Sequence, residues 1–381
     1  MRSNNYKKHL VFTSTLLVGL LVLISGCNRD KTQLYHNEVV ILKWHRSYSD
    51  DSFEKSITGL NWALSQIGVE KRILDDWISY EKETISIDPN ALSIPHQSKQ
   101  TLKKLHRAIQ ESIAYNSNGY TDIGHYVALI LGSSEHYYQL INLPDQLSEL
   151  QNQYTLDPAI GYISNSAISE EHREILFSSQ SGLSQLFISQ EIDSVTGEIL
   201  EFETLDLLPN GQPRFGIYDP SGNRIIGAFP GVSSAGKPGK CMWCHESSIQ
   251  PLLSSQTLQA GYLSPNEMAD TLIHFRLRHK EKQNLLFNGV DFTDFQGHVL
   301  MELLYISYME PSASRLALEW KISETEVLTL LSGLPTHQQE EFTFLGELYH
   351  RKDVEALAPH TPLGVSSSVR ERIGIEVNWL D

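Results

Sequence analysis

Cysteine is scarce in this chain: there are three in 381 residues. One stands at position 27 and the others at 241 and 244. After position 27 only one pair remains, so no disulfide framework of the kind that staples small exported domains can be built. No second Cys-x-x-Cys completes a four-cysteine zinc site around that pair. Basic residues are also in short supply, with 30 Lys and Arg against 46 Asp and Glu. That balance excludes nucleic acid and broad binding to anionic lipid, and it favours a basic partner protein. No apolar run is long enough to span a bilayer comfortably; the strongest, from Leu10 to Ile24, is broken at residues 13–15 and at Gly19. There is no internal repeat, no low-complexity tract and no visible catalytic constellation.

What the chain does have is one Cys241-Met242-Trp243-Cys244-His245. Cys-x-x-Cys-His reads as a c-type haem attachment site. Two thiols three residues apart share one side of a helical turn, where each can add to a haem vinyl group. The imidazole of the next residue then becomes the proximal ligand of the iron. The competing reading is a thiol redox pair. Such pairs follow a strand and open a helix in a βαβ context, whereas Ala235–Lys240 reads as a loop and the chain beyond residue 245 as helical.

The N-terminus agrees with the haem reading. Arg2, Lys7 and Lys8 precede the apolar run, which ends Ile24-Ser25-Gly26-Cys27. This resembles the lipobox of bacterial lipoproteins, in which cleavage before the cysteine leaves it lipidated. The resemblance implies a signal over 1–26, a lipid on Cys27, a tether over 27–38, and a place in the cell envelope on the exported side, where haem c is attached. Three of the 30 basic residues and none of the 46 acidic ones lie in that signal, so the mature chain carries a formal charge of −19. Asn28 is not the Asp that retains lipoproteins at the inner membrane, which favours the outer one.

Three further segments follow. Residues 39–165 read as a helical N-terminal domain. Asp51-Ser52-Phe53-Glu54 caps an amphipathic helix carrying Phe53, Ile57, Leu60, Leu64 and Ile67; further helices are expected over 98–115 and from Asp122 to about Leu143. Residues 166–234 read as a small β-rich segment, with strands at 186–188, 199–202, 214–218 and 225–229 separated by turns. Residues 235–381 read as a mainly helical haem domain. Capping boxes at Ser264-Pro265-Asn266-Glu267 and Ser323-Glu324-Thr325-Glu326 start two of its helices, and 295–307 reads as another. The expected fold class is therefore mainly α with a small antiparallel β segment: a helical N-terminal domain and a cytochrome-c-like helical C-terminal domain.

The phrase from Lys321 to Leu331 resembles the C-terminal helix of small class I cytochromes c. Those proteins hold a ligand methionine in a loop before the last helix. The likeness points to Met309, in Tyr308-Met309-Glu310-Pro311, as a distal iron ligand, with His274 and His279 next. Met268 and Met301 sit at helical positions and read as core filler. His125 and His136 are about three turns apart on one expected helix face and read as packed core; His337, His350 and His360 read as surface residues. Arg276, Arg278, His279, Lys280 and Lys282 read as a solvated helix face.

Two function classes follow. The first is electron transfer by a monohaem c-type cytochrome, a carrier rather than a catalyst, passing electrons to a redox partner that is basic or membrane-bound. The second is a haem enzyme or small-ligand sensor with an open distal position.

Overall fold

Val40 and Leu42 alternate inward from a short strand, β1 (Val40–Lys43), and fix one face of a small sheet. Strands β2 (Ser79–Glu81) and β3 (Thr84–Ile87) and the two-residue β4 (Thr121–Asp122) complete it in the order β2-β3-β1-β4; β3 is antiparallel to β1 and β4 parallel to it. The computed structural model describes residues 38–70, 79–81, 83–166, 168–179, 183–245, 253–255, 257–286, 295–371 and 374–381. Residues Val39–Asp381 form one compact unit. The lipoprotein signal and Cys27 lie outside the described residues. Among the described residues no helix is long and apolar enough to cross a membrane.

Helix α1 (Phe53–Ser65) starts where expected, with the Ser52 hydroxyl accepting from the Lys55 amide at 3.3 Å. Helix α2 (His96–Glu111) stops at Ser112, whose carbonyl and side chain open a separate short turn instead of the longer helix expected to Tyr115. The helix expected from Asp122 to Leu143 is two: α3 (Ile123–Leu131) and α4 (Ser134–Leu140). Ser133 is extended between them and caps His136 with its hydroxyl.

The second sheet corrects the expected fold class. Among the described residues helix makes up about 39% and strand about 18%, so the protein is mixed α/β rather than mainly α. Five antiparallel strands, β5 (Leu156–Ile163), β6 (His172–Ser178), β7 (Leu186–Ile192), β8 (Ile199–Leu207) and β9 (Pro213–Tyr218), lie in the order β9-β8-β7-β6-β5. Three of them match sequence expectations. The run at 225–229 is not a strand, and β5 and β6 were not expected. The inward positions of β6, β7 and β8 include Arg173, Glu191 and Glu201, which breaks the apolar alternation a half-buried strand normally shows. The boundary expected at residue 165 lies within this sheet, because β5 precedes it.

The C-terminal helices do not form a separate cytochrome-c-like domain. Helix α5 (Pro238–Cys244) carries the Cys-x-x-Cys motif. Helix α6 (Pro265–Leu286) begins at its expected capping box and lays Met268, Leu272 and Phe275 on the large sheet. The Phe275 ring meets Phe177 and Phe187 at 5.6 and 5.3 Å between centroids. Each such buried side chain contributes roughly 1.5–3 kcal/mol. Helix α7 (Phe295–Met309) instead packs on α1 and α3. Gly59 and Gly124 make that approach: a Cβ would stand 2.6 Å from the Leu300 carbonyl oxygen at Gly59 and 2.4 Å from that of Leu304 at Gly124. Helices α8 (Ala313–Trp320), which was not expected, and α9 (Glu324–Leu330), which starts at the second capping box, follow with a small core of their own.

Candidate haem attachment site

Helix α5 is held in place on three sides before its thiols come into play. Lys237, at its N-cap, pairs with Glu376 at 2.6 Å while mostly buried. Pro238 opens the first turn with its fixed φ. Gly239 lies so close to the end of α3 that a Cβ would sit 2.8 Å from the Leu131 carbonyl oxygen and 2.9 Å from Val369 Cγ1. On the α7 side Met242 is buried and its carbonyl oxygen accepts from His298 Nε2 at 3.0 Å. The Trp243 ring meets Tyr305 edge-on at 5.5 Å.

The remaining side of the turn faces the large sheet. Cys241, Cys244 and His245 all line one cleft against the sheet, of about 1010 Å³ counted out to open solvent. The His245 amide donates to the Cys241 carbonyl oxygen at 2.9 Å, and its ring lies 5.5 Å from Phe215. No disulfide joins Cys241 to Cys244. Burial, reinforced by the negative charge of Glu203, pushes the Cys241 thiol well above the usual range. A reactive redox thiol needs the opposite shift.

Strand register orders the wall of the cleft into rows. Phe177, Phe187, Leu205 and Phe215 pair across four strands as an apolar row. The next row is Ile175, Ser189, Glu203 and Ile217. The third is Arg173, Glu191 and Glu201. Arg173 pairs with Glu191 and stands 3.7 Å from Glu203. Glu201 accepts from the Phe229 amide at 2.8 Å, and Glu203 from the Ser233 hydroxyl at 3.1 Å. One cation thus stands among two buried carboxyls, Glu191 and Glu201, and the half-buried Glu203. Burial, with the neighbouring carboxylates, pushes Glu191 up to about 8, against the pull of Arg173. Burial likewise pushes Glu201 up to about 7. These titrations belong to the cluster as a whole.

No family model, curated protein or solved structure matches this chain.

The residues present fit a covalent haem. Two thiols and an imidazole open from a single turn onto one cleft that is apolar on one side and polar on the other. A bare metal finds no comparable set: among the described residues no three His, Cys, Asp or Glu side chains are grouped to hold one.

The other expected ligands are elsewhere. Met309 is the last residue of α7, buried, and does not line the cleft. It belongs to the helix rather than to a loop, and α7 meets α5 through Trp243, on the face away from the sheet. Met301 is buried in the same helix, and the Met268 sulfur packs 2.8 Å from where a Gly161 Cβ would be. His274, with Arg276 and Arg278, is exposed on α6; the side chains of His279, Lys280 and Lys282 lie outside the described residues. His125 and His136 are the core histidines expected: His125 Nε2 bonds the Leu363 carbonyl oxygen at 2.7 Å and His136 Nδ1 that of Leu129 at 2.6 Å. His337 and His350 stack at 4.3 Å, with His337 on Glu310, while His360 lines a different cleft. The acid cluster on the sheet was missed. Its signal was charge repeating at the second residue of a strand-like run, at Glu201 and Glu203.

Proposed function

We propose that Cys241 and Cys244 carry a covalent haem c in the sheet cleft, with His245 on the iron, and that the protein is an exported, lipid-anchored monohaem c-type cytochrome that transfers electrons. The observation that carries the reading is that one turn of α5 turns both thiols and the imidazole into the same cleft. Bound there, the haem supplies a one-electron couple. The chain's own residues do the rest. Lys237, Gly239 and Trp243 hold the turn against α3 and α7, which fixes the direction of His245. Phe187, Leu205 and Phe215 exclude water from one side of the cleft, and low polarity there tunes the potential. The acid cluster stores protons beside it. The acidic surface suits a basic redox partner, and a lipidated Cys27 would keep the protein at a membrane.

A second reading has its own observation. Among the described residues that line the cleft, the wall facing His245 offers Arg173, Ser189 and Glu203 but neither methionine nor a further imidazole. That lining would leave a bound haem iron without a sixth protein ligand, which suits a small-ligand sensor or haem enzyme, with Arg173 and Glu203 in the same cleft.

Expression with a haem c maturation system, followed by haem staining of the denatured chain, tests attachment. Colour should stay with the polypeptide, and Cys244→Ala should remove most of it. Haem lost entirely to acid-acetone would end the proposal. Mass spectrometry of the mature N-terminus should find acylated Cys27. Rapid carbon monoxide binding by the reduced protein selects the open-site reading; resistance selects the electron carrier.

A further inference from the structure

A second cleft, of about 750 Å³ counted out to solvent, lies apart from the first, among α3, α7, α8 and the segment around residue 360. Its floor is a closed charge network. Asp122 accepts from His45 Nδ1 at 2.7 Å, from Arg315 at 2.7 Å and from the His125 amide at 3.1 Å. Glu319 accepts from Arg315 at 2.8 Å and from Arg351 at 2.8 Å. Two arginines and two carboxylates are thus matched, and the acids already hold strong donors.

Two buried donors on this cleft are left over. The Tyr308 hydroxyl makes no hydrogen bond, although the residue is only 1% exposed. Arg351 stands over its ring at 4.0 Å and His125 stacks on it at 4.9 Å, so the ring is fixed while the hydroxyl stays unbonded. Trp320 is 7% exposed and its indole N–H is likewise unpaired. Leaving a buried donor unsatisfied costs ~1–3 kcal/mol, so two on one cleft call for an acceptor.

The charge of that acceptor follows from Lys321. It stands next to Trp320 as the C-cap of α8, in the left-handed conformation that commonly ends a helix. Its ammonium reaches Asn118 Oδ1 at 2.7 Å and lies 5.1 Å over the Tyr120 ring. Among the described residues no carboxylate is paired with it, and one ammonium proton is spent on Asn118. Tyr120, Trp320, Pro359 and Pro362 give the mouth of the cleft flat apolar walls.

We infer that this cleft binds a small organic carboxylate with a flat apolar body, its oxygens held by the Tyr308 hydroxyl, the Trp320 indole and the Lys321 ammonium. Two neutral donors beside one cation suit a single negative charge, and the walls suit a ring or short chain. The site is independent of the haem proposal.

The test titrates the full mature chain, labelled with ¹⁵N at its tryptophan indoles, with benzoate and separately with inorganic phosphate. Trp320→Phe identifies the Trp320 signal. Benzoate should shift that signal saturably. Tyr308→Phe, which keeps the ring and loses only the hydroxyl, should weaken binding roughly tenfold, and Lys321→Gln should weaken it by a similar factor. If neither probe moves the signal, ordered water satisfies the two donors and the inference fails. It also fails if phosphate binds as tightly as benzoate, because the walls then select nothing, or if Tyr308→Phe and Lys321→Gln both bind benzoate as the wild type does.

Discussion

Arg173 and Glu203 meet 3.7 Å apart on the sheet face that Cys241 and His245 look onto, and Arg173 is the cation between half-buried Glu203 and the buried Glu191 and Glu201. Removing it leaves Glu191, Glu201 and Glu203 with no opposite charge. Arg173→Gln should cost about 3 kcal/mol, as breaking a buried ion pair does, read as a lower denaturant midpoint with unchanged slope. A change within the ordinary range for surface pairs would mean that the cluster is solvated.

The cluster also sets the pH profile of stability. Glu191 and Glu201 sit at about 8 and about 7 in the folded chain, above the ~4.3 of an unfolded glutamate. Their stabilisation is complete below the unfolded value and is lost as pH rises through the folded ones. Burial pushes His125 and His298 the other way, each down to about 4. Their contribution is present above the unfolded value of ~6.5 and is lost as pH falls toward 4. Between ~4.5 and ~6.5 the two slopes oppose each other and stability should be nearly flat. It should fall above that window as pH rises toward 8, and Glu191→Gln should remove much of that loss. Melting temperatures that keep rising from pH 6.5 to 8 would contradict this.

The helical layer was largely legible because its signals are local. Ser52, Ser264 and Ser323 cap helices where the sequence places them, and α6 runs almost to its expected end. The sheet was not, because its inward face carries charge. Arg173, Glu191 and Glu201 look like solvent-facing residues until strand pairing places them on one buried face. The Cys-x-x-Cys-His spacing is visible in the sequence, but the helix that carries it is not: 235–240 reads as a loop, whereas α5 starts at Pro238. Met309 reads as a loop residue because Glu310-Pro311 follows it, whereas α7 runs through Met309 and ends there.

The position of α5 depends on Gly239. An alanine methyl there would press on the Leu131 carbonyl and Val369. Neither neighbour is the loose end of a flexible side chain, so α5 itself must shift. Gly239→Ala should cost about 1–3 kcal/mol, the usual range for overpacking. It should also reduce the yield of covalently attached haem, measured as the ratio of haem absorbance to protein. A full haem yield at wild-type stability would show that the contact relaxes freely.

The last expectation joins the acid cluster to the redox couple. Glu203 lines the cleft directly, while Glu191 and Glu201 stand beside it on adjacent strands. When the cluster loses protons, negative charge would grow beside a haem bound in that cleft. Negative charge favours the oxidised, more positive state, so the potential should fall as pH rises through the range of about 7 to 8 over which Glu201 and Glu191 titrate. One proton coupled to one electron sets the limit at ~59 mV per pH unit. Screening across the cleft should keep the slope below that. Glu203→Gln should raise the potential at high pH, and Glu191→Gln should flatten the slope. Equilibrium redox titration of the three proteins from pH 6 to pH 9 measures both effects. A wild-type potential flat across that window would separate the cluster from the haem and leave it a purely structural role.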